Sequence, residues 1–221
     1  MKPIIGIPVH NDLEAFREMM YSLLHSTKHF DKIILLESGS TDGTAEECDR
    51  FAGTHNGKIE VIHTKKEGPL KAMNRLFDIA IKEQKDIFFT QTDVLFPKLY
   101  KRDWLEQMSK LAENPLSGMI TCLNGGSVSG DSYLNGFYWI GGWCMYVPIH
   151  AINKVGKYDE EYPNGWGVDV DYTYAMAKNG LQNIQINYWV DHHMQNNRSH
   201  DDDEEGKQAA AKRFKKKWTL P

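Results

Sequence analysis

The first half of the chain alternates short apolar runs with longer stretches in which apolar residues return at helical spacing. Ile4 to Val9, Lys32 to Glu37, Ile59 to His63 and Asp86 to Thr90 read as strands, and Leu13 to Leu24, Thr44 to Ala52 and Leu70 to Ile81 as helices. That order predicts a mostly parallel sheet with helices on its faces. Within this first helix Leu13, Phe16, Met20, Leu23 and Leu24 form a stripe whose simplest role is core packing. After Leu111 the pattern turns Gly-rich and aromatic, through Asn124-Gly125-Gly126-Ser127 and the stretch Gly136 to Trp143. Two readings fit it: a flexible loop followed by strands of another orientation, or a Gly-punctuated hairpin with core aromatics. Ile149 to Val155 and Val170 to Lys178 read as helices, the second stopped at Asn179-Gly180, and Ile184 to Val190 as a last strand ending at Asp191-His192-His193.

A chain of 221 residues can bury one sizeable core and reads as a single domain. Its 41% apolar and 25% charged residues describe a soluble globular protein, and a net charge of −4 gives no reason to expect a nucleic-acid partner. Cys48, Cys122 and Cys144 are odd in number and lack CxxC spacing, so neither a disulfide framework nor a structural zinc is expected, and a cytoplasmic location fits. No run approaches the ~20 apolar residues of a membrane span, and Pro3 to Val9 is too short for a signal peptide.

Acidic residues stand at the ends of apolar runs: Glu37, Asp93, and the pair Asp169 and Asp171. In a parallel sheet those ends share one edge, where ligands bind in open α/β folds. The most telling stretch is Leu35-Leu36-Glu37-Ser38-Gly39-Ser40-Thr41-Asp42-Gly43-Thr44. A buried strand ends in a carboxylate, Gly39 and Gly43 permit the bend, and Thr41 or Ser40 is expected to cap the next helix. With Pro8-Val9-His10-Asn11 after the first strand, this resembles the start of the family 2 glycosyltransferases, and the match continues in order along nearly the whole chain.

The resemblance implies a GT-A type α/β fold: a nucleotide-sugar-binding half (1–98), a smaller mixed acceptor-binding half (99–195) and a mobile C-terminal segment (196–221). It implies transfer of a sugar from a UDP-, GDP- or dTDP-sugar to a hydroxyl of a glycan or lipid-linked glycan, with inversion. Pro8, His10, Asn11, Glu37, Ser38 and Asp42 are then donor contacts. Glu37 stands where the family usually has Asp, and Asp42 equally suits a helix first turn. Glu67 to Asn74 resembles the family's Gly-rich helix start, which adds Gly68, Lys71 and Asn74, with Met73 in place of Arg. Phe88 to Val94 falls at the Asp-x-Asp metal signature. Of it Asp93 is retained, Gln91 holds the first position, and Gln91, Thr92 and Asp93 face the donor. Mn2+ or Mg2+ would take Asp93 together with one of His192 and His193, since adjacent strand residues point to opposite faces, and His192 is the one taken.

Trp166 to Tyr172 resembles the family's Glu-Asp-x-Asp segment, with Val168 in place of Glu, Asp169 as general base, and Asp171 opening the helix. Trp143, Trp166 and Asp171 are placed on the acceptor side. In the tail, Arg198 or Lys207 could reach phosphate, and Lys212 to Trp218 reads either as a solvated helix or as a peripheral contact with an anionic membrane. The departures at Glu37, Met73, Gln91 and Val168 keep a second class open, a non-catalytic nucleotide-sugar or glycan-binding protein. A nucleotidyltransferase is disfavoured, since no Gly-rich triphosphate loop follows the first strand.

Overall fold

A computed structural model describes residues 1–97, 102–123, 126–128, 138–192 and 203–220. Strands β1 (Ile4–Val9), β2 (Lys32–Glu37), β3 (Ile59–His63) and β4 (Ile87–Thr90) alternate with helices α1 (Leu13–Ser26), α2 (Thr44–Thr54) and α3 (Pro69–Glu83), as the apolar periodicity predicts. There follow β5 (Val94–Leu95), α4 (Trp104–Ala112), β6 (Ser117–Leu123), β7 (Gly126–Val128), β8 (Tyr138–Ile140), β9 (Cys144–Val147) and α5 (Ile149–Val155). A 3-10 turn (Pro163–Gly165) leads to α6 (Val168–Lys178), β10 (Gln182–Trp189), β11 (Asp191–His192) and α7 (Glu204–Trp218).

The main sheet runs β10-β6-β9-β4-β1-β2-β3, with β9 antiparallel to both neighbours and the other pairs parallel. Both of its faces are covered. Alternate residues of a strand point to opposite faces, so a strand covered on both must be apolar throughout. Thus Ile5, Ile7 and Val9 of β1 pack with Phe16, Phe51 and Trp104 of α1, α2 and α4. On the other face Ile4, Ile34 and Phe89 meet Phe77, Ile152, Tyr172 and Phe214 of α3, α5, α6 and α7.

In the glycine-rich middle the described residues form strands of reversed orientation. β7 and β8 form an antiparallel hairpin, and β9 runs against its neighbours in the main sheet. Asn124, Gly125, Gly136 and Phe137 lie outside the described residues. Helix α4 and strand β6 are additional to the sequence reading.

Topology fixes where a ligand can sit. The chain winds outward from β1 to β3, then returns to β4 on the other side of β1. Pairing of β1 with β4 covers Ile4 to Gly6 and stops. Pro8, on the same parity as Ile4, whose N–H donates to the Asp86 carbonyl, lies beyond that ladder, so its missing N–H costs no sheet bond. The two strands part there, and the crevice outside their carboxyl ends is the switch point of the sheet. Because β9 is reversed, its start reaches the same edge. Among the described residues no helix is long and apolar enough to cross a membrane.

Candidate active site

Two turns at the carboxyl edge are knitted together by short polar side chains. Asn11 adopts a left-handed φ of 47°; its N–H donates to Ser40 Oγ (3.0 Å), and its Oδ1 accepts from the Thr41 N–H (2.8 Å). Asp42 accepts from the Leu13 N–H at 3.2 Å and from both the N–H and the hydroxyl of Thr44. The α2 cap expected from Thr41 or Ser40 therefore comes from Asp42, one residue before Gly43 at φ 95°. Gly43 must bend left-handed to start the helix, which brings the Asp42 carboxylate round to the first free amide.

At the end of β2 Glu37 is buried, with 2% of its surface exposed. Its Oε1 accepts from the Ser40 N–H at 2.5 Å, and its Oε2 lies 3.0 Å from Nδ1 of His63, the last residue of β3. The other ring nitrogen of His63 lies 3.0 Å from Asp49 Oδ1. Burial pushes Glu37 up, but the Ser40 and His63 bonds outweigh it and hold its carboxyl below the ordinary range. Glu37, and then Asp49, raise His63. Ser38 is buried beside them and its N–H donates to the Val9 carbonyl. The sequence reading passed over His63, although it ends a strand on the same edge as Glu37.

The crevice between β1 and β4 holds a second set. Gln91 is exposed, while Thr92 is buried and donates to Asp12 Oδ2 at 2.6 Å. Burial raises the Asp12 carboxyl; the Thr92 bond opposes this, and the neighbouring Asp93 and Asp42 add to it. β5, just past Asp93, pairs with β11, setting His192 opposite Val94. His192 Nε2 lies 3.4 Å from Asp93 Oδ2. Asp93 Oδ1 and His10 Nδ1 are buried polar atoms with no hydrogen-bond partner among the described residues. Orphaned buried acceptors are rare in folded proteins and ask for a ligand. An oxygen and an imidazole nitrogen suit a divalent cation that takes its remaining ligands from phosphate and water. Among the described residues no group of three or more such side chains forms a closed metal site.

The peptide Gly141-Gly142-Trp143 joins this pair to Asp169. The Trp143 ring stacks on His192, 4.8 Å between centroids and 13° from parallel, while the Gly142 N–H donates to Asp169 Oδ2 at 3.4 Å. A Cβ on Gly141 would run into the Trp143 ring, so only glycine lets the indole fold back over its own chain. Asp169 lies in the first turn of α6, and its Oδ1 accepts from the Val170 N–H at 2.9 Å. Burial pushes its carboxyl up to about 6, against the pull of the Val170 and Gly142 amides.

Other residues singled out from the sequence stand in the following contacts. Asn74 is buried and exchanges bonds with the Tyr158 backbone and Glu160. Met73 packs in the core, and Gly68 and Lys71 are exposed at the start of α3. The Asp171 carboxylate, with 4% of the side chain exposed, faces Lys217 and Trp218. Trp166 Nε1 donates to Asp203, and Lys207 sits over the Trp166 ring. His193 and Arg198 lie outside the described residues.

A mostly parallel sheet with one reversed strand, and with carboxylates and histidines gathered at its carboxyl edge, is an α/β domain of GT-A type. Residues 4–137 match the family described as Glycosyl transferase family 2. The chain belongs to that family. No curated protein matches it at a significant level. Among solved structures, the mannosyltransferase PcManGT from Pyrobaculum calidifontis, in complex with GDP-Man and Mn2+, aligns with a TM-score of 0.62 at 19% identity, over 85% of this chain and 55% of its own. GalNAc-T7 with UDP, GalNAc and Mn2+ aligns at 0.66 and 12% identity, over 87% and 44%. S. aureus TarS aligns at 0.61 and 16%, over 85% and 35%. Likeness at these identities is one of fold, and the chain spans between 35% and 55% of the length of these three structures.

Proposed function

We propose that this chain transfers a glycosyl group from a nucleoside-diphosphate sugar to an acceptor hydroxyl, with Asp169 as the general base. The observation that carries the reading is Asp169 itself, a carboxyl raised to about 6 and joined through Gly142 and Trp143 to the Asp93 and His192 pair. A base works best when its pKa lies near the working pH, where it is mostly free to accept a proton yet holds one firmly once taken. Asp169 accepts the proton of the acceptor hydroxyl as that oxygen attacks the anomeric carbon and the nucleoside diphosphate departs. Its raised value comes from burial, the cause that tunes acid–base groups in enclosed sites.

Asp93 and His192 are the residues that would hold Mn2+ or Mg2+. When bound, such a cation supplies positive charge to the diphosphate leaving group. The presence of GDP-Man or UDP with Mn2+ in related structures supports a donor and a cation of those classes here. The end of β2, with Ser38 and His63 around the ionised Glu37, is the subsite we assign to the donor's base. Trp143, half-exposed beside His192, is assigned to the sugar side.

The test is hydrolysis and binding of UDP-, GDP- and dTDP-sugars, with and without Mn2+, by the intact chain and by Asp93→Ala and Asp169→Asn. Metal-dependent turnover of one donor, lost in both variants while Asp169→Asn still binds it, is the expected result. The exposed Gln91 and the buried Met73, which stand at a metal-signature and an arginine position, favour the rival reading of a donor-binding protein without turnover. Binding with no turnover, indifferent to Asp169→Asn even with candidate acceptors present, would establish that rival.

A further inference from the structure

Helix α7 lies across residues 159–171, the segment that leads into α6 and carries Asp169. In its last turn Lys217 Nζ lies 2.6 Å from Asp171 Oδ2, and the Trp218 Nε1–H donates to Asp171 Oδ1 at 2.8 Å. Lys217 also reaches Asp159 Oδ2 at 3.1 Å. One turn earlier Arg213 pairs with Asp159 (2.6 Å) and Glu161 (2.5 Å) and stands over the Tyr162 ring. At the other end of the helix Asp203 accepts from Trp166 Nε1. Gly167, the residue before α6, is left-handed, and a Cβ built on it would meet that of Ala210 at 3.5 Å. α7 thus grips both ends of this segment and its middle.

The first turn of α6 needs such a grip. Its N-cap is Gly167, which has no side chain to offer, and the acceptor for the Val170 amide is Asp169 itself. Residues two apart on a helix do not share a face. Asp169 faces the Gly142 side of the cleft, while Asp171 is turned onto α7. Charge-assisted bonds of this kind are the strong ones, and both oxygens of a nearly buried carboxylate are held by them.

We propose that α7 is a clamp on the start of α6, in which Lys217 and Trp218 hold Asp171 and act as positioning residues for Asp169. This rests on the reading of Asp169 as the base. A displacement of about 1 Å at a reacting group can cost ~100-fold in rate, so the clamp acts on turnover rather than on donor affinity.

The experiment uses the full chain and two readouts. Amide hydrogen exchange is followed in peptides covering residues 167–172, with β1 and β2 peptides as folding controls. Hydrolysis of GDP-mannose, UDP-N-acetylgalactosamine and dTDP-glucose with Mn2+ gives kcat and donor KM. In Lys217→Met, exchange at 167–172 should speed by about 10-fold or more with β1 and β2 unchanged, and kcat should fall ~10- to 100-fold with donor KM nearly constant. Lys217→Arg, which keeps the charge, should restore both. Trp218→Phe, which keeps the ring and removes one N–H, should move both in the same direction by less, and it serves if Lys217→Met fails to fold. Unchanged exchange at 167–172, or a loss carried by KM, overturns the clamp. An inert Asp169→Asn beside a fully active Lys217→Met overturns the positioning role alone. A fully active Asp169→Asn overturns the reading of the base, and the positioning role with it. If none of the three donors is turned over, the exchange result decides the clamp.

Discussion

Asp169 shows how a single carboxyl can be tuned by enclosure. Its raised value makes the proton-accepting form scarce on the acid side. kcat/KM is therefore expected to fall with unit slope below about 6, as a pH-rate profile would show. The same shift acts on folding. The folded chain holds this proton more tightly than the unfolded one, so the group's contribution to stability is greatest below its ordinary value of 3.8 and is lost as pH rises through about 6. Asp169→Asn should then melt higher than the parent well above that range and show little gain below it, while transfer falls ~10²- to 10⁴-fold. Thermal melts on both sides of the range check the first half of this, and rates the second. Gly141 offers a second prediction: Gly141→Ala should drive the indole of Trp143 off His192 and weaken metal-dependent donor turnover with the fold intact, as near-ultraviolet circular dichroism and activity would show. Glu37 ends β2, Asp93 lies in the turn between β4 and β5, His192 ends β11 and Asp169 opens α6, so these candidates could be singled out from the ends of the apolar runs. The stacking of Trp143 on His192 and the Thr92–Asp12 bond were not legible, because partners distant in sequence make them.

At the scale of elements, the strands and helices of the first half were readable from periodicity alone, since each buries a regular stripe or a whole run. Helix α4 shows what a short element conceals. Its buried residues Trp104, Leu105, Met108 and Ala112 have helical spacing, but the segment is only nine residues long and precedes the glycine-rich stretch. Its start is set by Asp103, whose Oδ1 accepts from the Leu105 and Glu106 amides and from the Thr27 hydroxyl, and whose Oδ2 accepts from the Lys28 amide. One side chain caps a helix and ties it to the end of α1. Asp103→Ala is expected to cost about 1–2 kcal/mol, read as a lower denaturant midpoint with an unchanged slope. The role of α7 was illegible for a different reason. Its lysines look alike in the sequence, and only the docked helix shows Lys217 held by two carboxylates, Asp159 and Asp171.

For the whole molecule, the two-faced sheet makes stability a matter of two cores joined by the same strands. In one, Trp104 is fully buried, stacked on Phe96 and Tyr188 at 5.2 Å each, with its indole N–H on Ser26 Oγ. Trp104→Ala should cost ~3–5 kcal/mol, measured by chemical unfolding. Acid should act through Glu47, which lies against Arg50 and Arg17 and is held down at about 2. Its contribution is present above the usual 4.5 and is lost as pH falls toward 2, so Glu47→Gln should flatten the acid limb of stability.

The small ribbon of β5 and β11 has one more consequence. It sets Asp93 beside the imidazole of His192, much later in the sequence, and Asp169 and Lys217 also follow Asp93 at a distance. A polypeptide emerging from the ribosome therefore displays the Asp93 carboxylate long before its neighbour exists. Assembly of the chemical centre therefore waits until residues 169 and 192 have been made, after strands β1 to β4 that frame it.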